Sequence, residues 1–303
     1  MIYLVIVCYN SERWLERCLQ TIYASIADLE VRCLLVDNGQ MDDAYVRTLQ
    51  VQFPHLAYQA AGRNLFYGGG NNLGIEKALL ADARYIGLIN PDTWFPDGWL
   101  QALLQCFENL PEYGILAPLQ YDYQQPEKLA DWTVSAFRAN GVNDLSSCPI
   151  ELPYVEGSCL FLKAEVVQTI GMFDSLFEMY YEEIDLCRRN RFAGFKVGVC
   201  TESVYYHYSS RKATGAAHRL RNLRISRSQL IYIITNPEYS WSRNLYHVTK
   251  WTIKRLLKTL PDNSFPSLQF ISRAIGLLIG NYQQLKLKWS RDRLLLVKAA
   301  YEE

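Results

Sequence analysis

This chain is defined first by what it lacks. It contains no Gly-Lys-Ser or Gly-Lys-Thr, so it has no phosphate-cradling loop of the P-loop type. The turn after the first apolar run, Tyr9-Asn10-Ser11, has no glycine, which argues against the Gly-x-Gly-x-x-Gly of a nicotinamide dehydrogenase. Eight cysteines form no Cys-x-x-Cys pair and sit mostly in apolar runs, as reduced packing thiols of a cytosolic protein would. No uncharged run of about 18 residues occurs, so no spanning helix is expected. The opening run Met1–Cys8 lacks a cationic leader and a small-residue cleavage site, and its length suits a buried strand rather than a signal peptide. There is also no excess of one charge, with 31 Lys+Arg against 31 Asp+Glu. That balance hides a division. Residues 1–210 carry 14 basic and 26 acidic side chains, and residues 211–303 carry 17 and 5. A basic end on an acidic body points that end at something anionic.

Half of the residues are hydrophobic, enough for a sizeable core in one large or two modest domains. Strands are predicted at Ile2–Val7, Val31–Val36, Leu56–Gln59 and Tyr85–Ile89. Helices are predicted from Glu12, with Ser11 as N-cap, over Asp42–Gln50, and over Asn72–Ala81. This alternation predicts an α/β fold with a doubly wound, mostly parallel sheet. Such sheets take ligands at the carboxyl ends of their strands, where Asn10, Asp37 and Asp92 fall. Asn64–Asn72, with three consecutive glycines, reads as a loop that a ligand can approach closely, and 120–150 as an irregular excursion. Further strands are predicted at Val155–Lys163, Lys196–Cys200 and Ser203–Tyr206, and a helix at Ala164–Ile170. From His218 onward the chain reads as helical, broken at Pro237 and at Pro261–Pro266.

Two acidic groups suggest chemistry. Asp92 follows Asn90-Pro91 at a strand end, where one carboxylate with diphosphate oxygens can hold Mg²⁺ or Mn²⁺. Asn-Pro-Asp is also good turn chemistry by itself. Tyr180-Tyr181-Glu182-Glu183-Ile184-Asp185 places three acids behind two aromatics, suiting a general base or simple compensation of a helix dipole. Asp37 fits a base or ribose contact, or a turn cap; His207 is a structural histidine or, with Asp92, a metal ligand.

Together these residues resemble the family 2 glycosyltransferases, inverting enzymes with the GT-A fold, and most of all their rhamnosyltransferase-like branch. The resemblance rests on Val7-Cys8-Tyr9-Asn10, Val36-Asp37-Asn38, Asn64–Gly74, Asn90-Pro91-Asp92, Gly157, Gly171-Met172-Phe173-Asp174, Glu182–Arg188 and His207, in family order across about residues 1–235. It implies a GT-A domain over 1–235 that uses a nucleotide-diphosphate sugar, with 236–303 as a basic amphipathic helical tail. Cys8, Tyr9, Asn10, Asp37, Asn64, Gly69, Asn72 and Asn90 would hold the donor, and Asp92 with His207 a Mg²⁺ or Mn²⁺ ion. Gly157 and Ser158 would line the acceptor side. The family usually reads Glu-Asp where this chain has Glu182-Glu183, so Glu183 is the expected base, with Asp185 and Glu182 as alternatives. Phe66 stands where glycine is common, and Arg227-Ser228 where Arg-Asn is common. Competing readings are a sugar-nucleotide-binding scaffold without turnover and a nucleotidyltransferase; the latter would need a Gly-rich basic loop after strand 1, which is missing.

The implied acceptor is a glycan or lipid-linked saccharide of cell-surface polysaccharide synthesis, with thymidine-diphosphate rhamnose as first donor. In the tail, Leu245, Val248, Trp251, Leu256 and Leu260 alternate with Lys250, Lys254, Arg255 and Lys258. Leu277-Leu278-Ile279 and Trp289 similarly lie near Lys286, Lys288, Arg291 and Arg293. This pattern suits either an anionic lipid surface on the inner face of the cell membrane, or packing on the body or on a second copy in a homodimer. Nucleic acid is not an expected partner, because the body is acidic and no reader motif occurs.

Overall fold

Four short apolar runs make the parallel half of the sheet: β1 (Ile2–Cys8), β2 (Val31–Asp37), β3 (Leu56–Ala60) and β4 (Tyr85–Ile89). Leu4, Val5 and Ile6 are fully buried, because both faces of β1 are covered by helices. On one face α1 (Glu12–Ser25) lays Leu15, Cys18, Leu19 and Ile22 against Leu4 and Ile6. On the other, α3 (Phe66–Leu80) lays Ile75 and Ala78 against Val5. The helix α2 (Asp43–Gln52) completes this part, capped by Asp42, whose side chain accepts from the amides of Ala44 and Tyr45.

The second part comprises β5 (Thr93–Trp94), α4 (Trp99–Asn109), β6 (Tyr113–Asp122), α5 (Asp131–Ala139), β7 (Ile150–Glu151), β8 (Cys159–Lys163), α6 (Ala164–Ile170), α7 (Glu182–Phe192) and β9 (Lys196–His207). The helices α8 (Gly215–Ile234), α9 (Trp241–Thr259) and α10 (Tyr282–Glu302) follow. The computed structural model describes residues 1–26, 29–208, 215–259 and 276–302. The sheet order is β3-β2-β1-β4-β8-β6-β9-β5, with β7 also on β9. β8 runs antiparallel to both neighbours, and β6 and β9 are again parallel.

The expected α/β sheet is therefore present, with several local corrections. Gly68–Gly70 is not a loop but the first turn of α3. A Cβ on Gly70 would lie 2.7 Å from Val7 Cγ1, and one on Gly74 2.2 Å from Val5 Cγ1, so these glycines let the helix sit directly on β1. Phe66, at the head of that helix, has φ 60°, the left-handed conformation that glycine adopts freely, which gives a physical reason for glycine at this position. The 120–150 segment ends one strand and contains α5, whose Thr133, Ala136 and Phe137 are buried. The two short strands expected near 196–206 are one strand with a bulge. Its register on β6 jumps between Pro118 and Leu119, where proline offers no N–H to the ladder. Ser11 caps nothing; its hydroxyl donates back to Tyr9 O.

The helical end breaks around Pro237 as expected. The break at Pro261–Pro266 lies outside the described residues. Leu230, Ile231, Ile234, Val248 and Leu285 pack with Leu176 and Phe177 in a third cluster, so α8, α9 and α10 lean on the body. Lys288 is correspondingly buried, which removes it from any lipid-facing surface.

Candidate active site

The topology brings the acids to one edge of the sheet. β1, β2 and β4 are parallel, so Asn10, Asp37 and Asp92 lie beyond the same ends. Reversed β8 starts at that edge, with Ile89 opposite Cys159, and so carries Glu156, Gly157 and Ser158 there. β6 and β9 finish at the same edge with Gln120 and His207. Thr93 then pairs with His207, setting Asp92 beside the imidazole.

His207 Nε2 lies 3.4 Å from Asp92 Oδ1, and Nδ1 is 3.8 Å from Glu156 Oε2. Burial alone would lower the imidazole pKa, but Asp92 and Glu156 outweigh it and raise it. The amide of buried Gln120 sits 2.8 Å from Nδ1 and leaves its own Oε1 without a partner. Turned by 180°, that amide would accept from Nδ1–H and leave the Nε2 lone pair facing Asp92, the tautomer a metal ligand needs. A partly exposed carboxylate beside such an imidazole is a donor set that fits Mg²⁺ or Mn²⁺ with diphosphate oxygens completing the shell.

Glu182 and Glu183 open α7 immediately after Tyr180 and Tyr181, whose φ angles of 68° and 70° are sparsely populated by non-glycine residues. Arg227 donates to Leu176 O, and Ser228 to Met179 O, so α8 braces the loop that enters this turn. Glu182 is 4% exposed with Oε2 unpartnered, while Glu183 is half-buried. Both carboxyls are pushed well above the usual glutamate range. Burial is the main cause, reinforced for Glu182 by Glu183 and for Glu183 by Glu156. Tyr67 joins the groups: its hydroxyl donates to Gly157 O at 2.5 Å, and burial followed by Glu183, Glu182 and Glu156 pushes its pKa well up. Glu156 lies beside His207, and Tyr67 ties Gly157 to the start of α3, where Gly68 packs next to Glu182, so the two acidic centres flank the same stretch of α3.

Asp185 does not join them. It is fully buried, and Lys288, Arg189 and Arg188 hold its carboxyl far below the usual range despite burial. Its oxygens accept from Arg188 at 2.8 Å, Arg189 at 2.9 Å and Lys288 at 2.9–3.0 Å. A carboxylate shared by three cations cannot serve as a free base, so it is withdrawn from the candidates.

Other residues expected at the donor make bonds within the fold. Cys8 is fully buried in β1. A Cβ on Gly69 would lie 2.9 Å from Leu65 Cβ, within the turn's own packing. Asn72 exchanges two hydrogen bonds with the backbone of Phe173. Asn64 Oδ1 accepts from Asn38 and from the Phe66 amide. The Asn90 backbone accepts from Thr93 and donates to Ser158 O. Ser158 is 3% exposed and bonds Glu156 and Tyr205, so it orients Glu156 rather than facing an acceptor. Asp37 accepts from the Gly39 and Met41 amides and from Tyr58, which fixes the loop and leaves one of its roughly four lone-pair sites spare. Tyr9 and Asn10 are exposed at the same edge. Glu156, Gln120 and Tyr67 lie here but were not expected: Glu156 precedes a reversed strand, Gln120 lies near the end of a strand where an irregular excursion was read, and Tyr67 opens a helix where a loop was read.

The chain is 26% identical over 284 residues to N-acetylglucosaminyl-diphospho-decaprenol L-rhamnosyltransferase of Mycobacterium tuberculosis, covering 82% of this chain and 88% of that protein. It is 25% identical over 231 residues to rhamnosyltransferase WbbL of Escherichia coli, covering 69% and 84%. Among solved structures it resembles Staphylococcus aureus TarS 1–349, with a TM-score of 0.61, 10% identity and coverage of 100% and 92%. It also resembles mannosyltransferase PcManGT of Pyrobaculum calidifontis in complex with GDP-Man and Mn²⁺, with a TM-score of 0.56, 14% identity and coverage of 100% and 87%. These likenesses show the GT-A fold. The description "Glycosyl transferase family 2" matches residues 3–171, and with more than half of the chain so matched, the protein belongs to that family.

Proposed function

We propose that this glycosyltransferase moves a hexose, rhamnose first among candidates, from a nucleotide diphosphate to a lipid-linked saccharide with inversion at the anomeric carbon. Asp92 beside His207 at the strand ends, and Glu182–Glu183 at the head of α7 next to the α3 turn that Tyr67 ties to Gly157, support this reading. Tyr9, Asn10 and Asp37 receive the base and ribose at the edge of β1 and β2. Asp92 and His207 would hold Mg²⁺ or Mn²⁺, which when bound offsets charge on the diphosphate leaving group. Glu183, half-buried and raised in pKa, takes the proton of the attacking hydroxyl, and Glu156 with Tyr67 fixes the floor between them. The M. tuberculosis relative's name supplies the acceptor class, a sugar on a polyprenyl diphosphate.

The test is transfer from thymidine-diphosphate rhamnose and other nucleotide sugars to N-acetylglucosaminyl-diphospho-polyprenol with Mn²⁺. Glu183→Gln is expected to lower the rate ~10²–10⁴-fold and Asp92→Ala at least ~10²-fold, neither with a lowered melting temperature. Full activity in both variants defeats the reading.

A peripheral membrane position fits this acceptor. No described helix is long and apolar enough to cross a membrane, but α9 and α10 expose Leu245, Tyr246, Ile253, Leu287 and Leu294 beside their cations. Leu245→Glu with Ile253→Glu should reduce co-sedimentation with anionic vesicles several-fold; unchanged partitioning counts against this surface.

A further inference from the structure

Three thiols from separate elements meet away from the active site. Cys106 lies on α4, Cys148 precedes β7 and Cys200 lies in β9. Their sulfurs are all within 4.8 Å of one another, and Cys148 Sγ is 3.6 Å from Cys200 Sγ. Cys106 and Cys200 are buried, whereas half-buried Cys148 leaves the cluster a route to solvent. Among the described residues these are the His, Cys, Asp and Glu ligand atoms that gather most closely.

The spacing matches a definite coordination chemistry. Metal–thiolate bonds of about 2.3 Å in a trigonal plane set the sulfurs about 4 Å apart. The observed spacing needs only sub-ångström adjustment to reach that arrangement. An all-sulfur donor set selects soft cations such as Cu⁺ or Zn²⁺ over the hard ions suited to Asp92. We propose that Cys106, Cys148 and Cys200 form a three-thiolate site for one thiophilic d¹⁰ cation, clamping the segment before β7 onto β9. That segment is otherwise tied to β9 by a two-residue strand and by the Thr201 hydroxyl donating to Ser147 O. As each sulfur–metal bond forms, its thiol proton passes to solvent, and no electron changes hands. Metal binding therefore competes with protons for the thiols and weakens as pH falls. Cys200 and His207 pair with Pro118 and Asp122, four residues apart on β6 and so about 13 Å along the sheet, beyond coordination reach of the imidazole, so the clamp acts on stability and not on sugar transfer.

The full chain, reduced and stripped of metal, is titrated with Cd²⁺ as a d¹⁰ probe, following thiolate-to-metal absorption in the ultraviolet. One equivalent should saturate the signal and raise the melting temperature. Cys148→Ser, at a half-buried position, should fold normally, weaken binding at least ~100-fold and lose the thermal shift; Cys106→Ser should do the same. Absence of a saturable signal overturns the proposal, as does a signal that survives Cys148→Ser. So does a count of two missing thiols in the untreated protein that assigns a Cys148–Cys200 disulfide.

Discussion

Glu182, Glu183 and Asp185 share the first turn of one helix, yet they live in opposite electrostatic worlds. Among the described residues no cation pairs with buried Glu182 or half-buried Glu183, and both are pushed up in pKa; Asp185 is buried against three cations and is pushed down. Side-chain direction produces the split. Glu182 packs beside Gly68 of α3, whereas Asp185 turns to α10, where Lys288 bridges it to Asp292. Arg189 extends the second group to Ile170, Gly171 and Met172. An acidic cluster read along the chain is therefore two devices. One is held ready for a proton, and the other locks the helix that presents it.

Substitution to the uncharged amide separates them most sharply. Where Glu183→Gln should remove activity and spare the fold, Asp185→Asn should destabilise by about 3–5 kcal/mol, because it leaves buried cations short of their partner; urea unfolding measures this. The pH dependence should differ too. Asp185 stabilises fully above its unfolded pKa, and that contribution is lost as pH falls toward its depressed folded value. For Glu182 the sign reverses: a raised folded pKa means stability is full below about pH 4.3 and declines as pH rises through neutrality. Glu182→Gln should thus stabilise the protein at neutral pH by about 1–2 kcal/mol, with the gain vanishing in acid. With Glu183 as the base, Glu156→Gln, which removes the neighbouring charge that raises the Glu183 pKa, should move the acid limb of the rate–pH profile to lower pH. The smallest effect belongs to Arg291→Ala. Arg291 reaches Asp174 at 2.8 Å, but its side chain is 51% exposed, so a loss under about 1 kcal/mol is expected in thermal melts.

The first half of the fold was legible because β1 to β4 are continuous apolar runs closed by turn residues, and α1 shows a clean helical repeat. The start of α3 was not, since Gly68–Gly70 has poor intrinsic helix propensity and is helical through close packing on Val7. β6 carries Pro118 mid-strand, which disguises it. In the site, Asp92 and Glu183 could be named from their positions after a strand and before a helix. Glu156 could not, because it precedes a strand that runs backwards between β4 and β6. Nor could the withdrawal of Asp185, which depends on a lysine 103 residues away.

The bulge in β9 gives the sheet a phase control. Between the residue opposite Pro118 and the residue opposite Leu119, three extra positions, 201–203, are accommodated on the β9 side. Side chains alternate along the strand, so excising one of the three without repair would point the imidazole at the far face and swing a neighbouring tyrosine toward Asp92. Insertions or deletions in this short stretch would thus change the pairing of His207 with Asp92 without altering either residue.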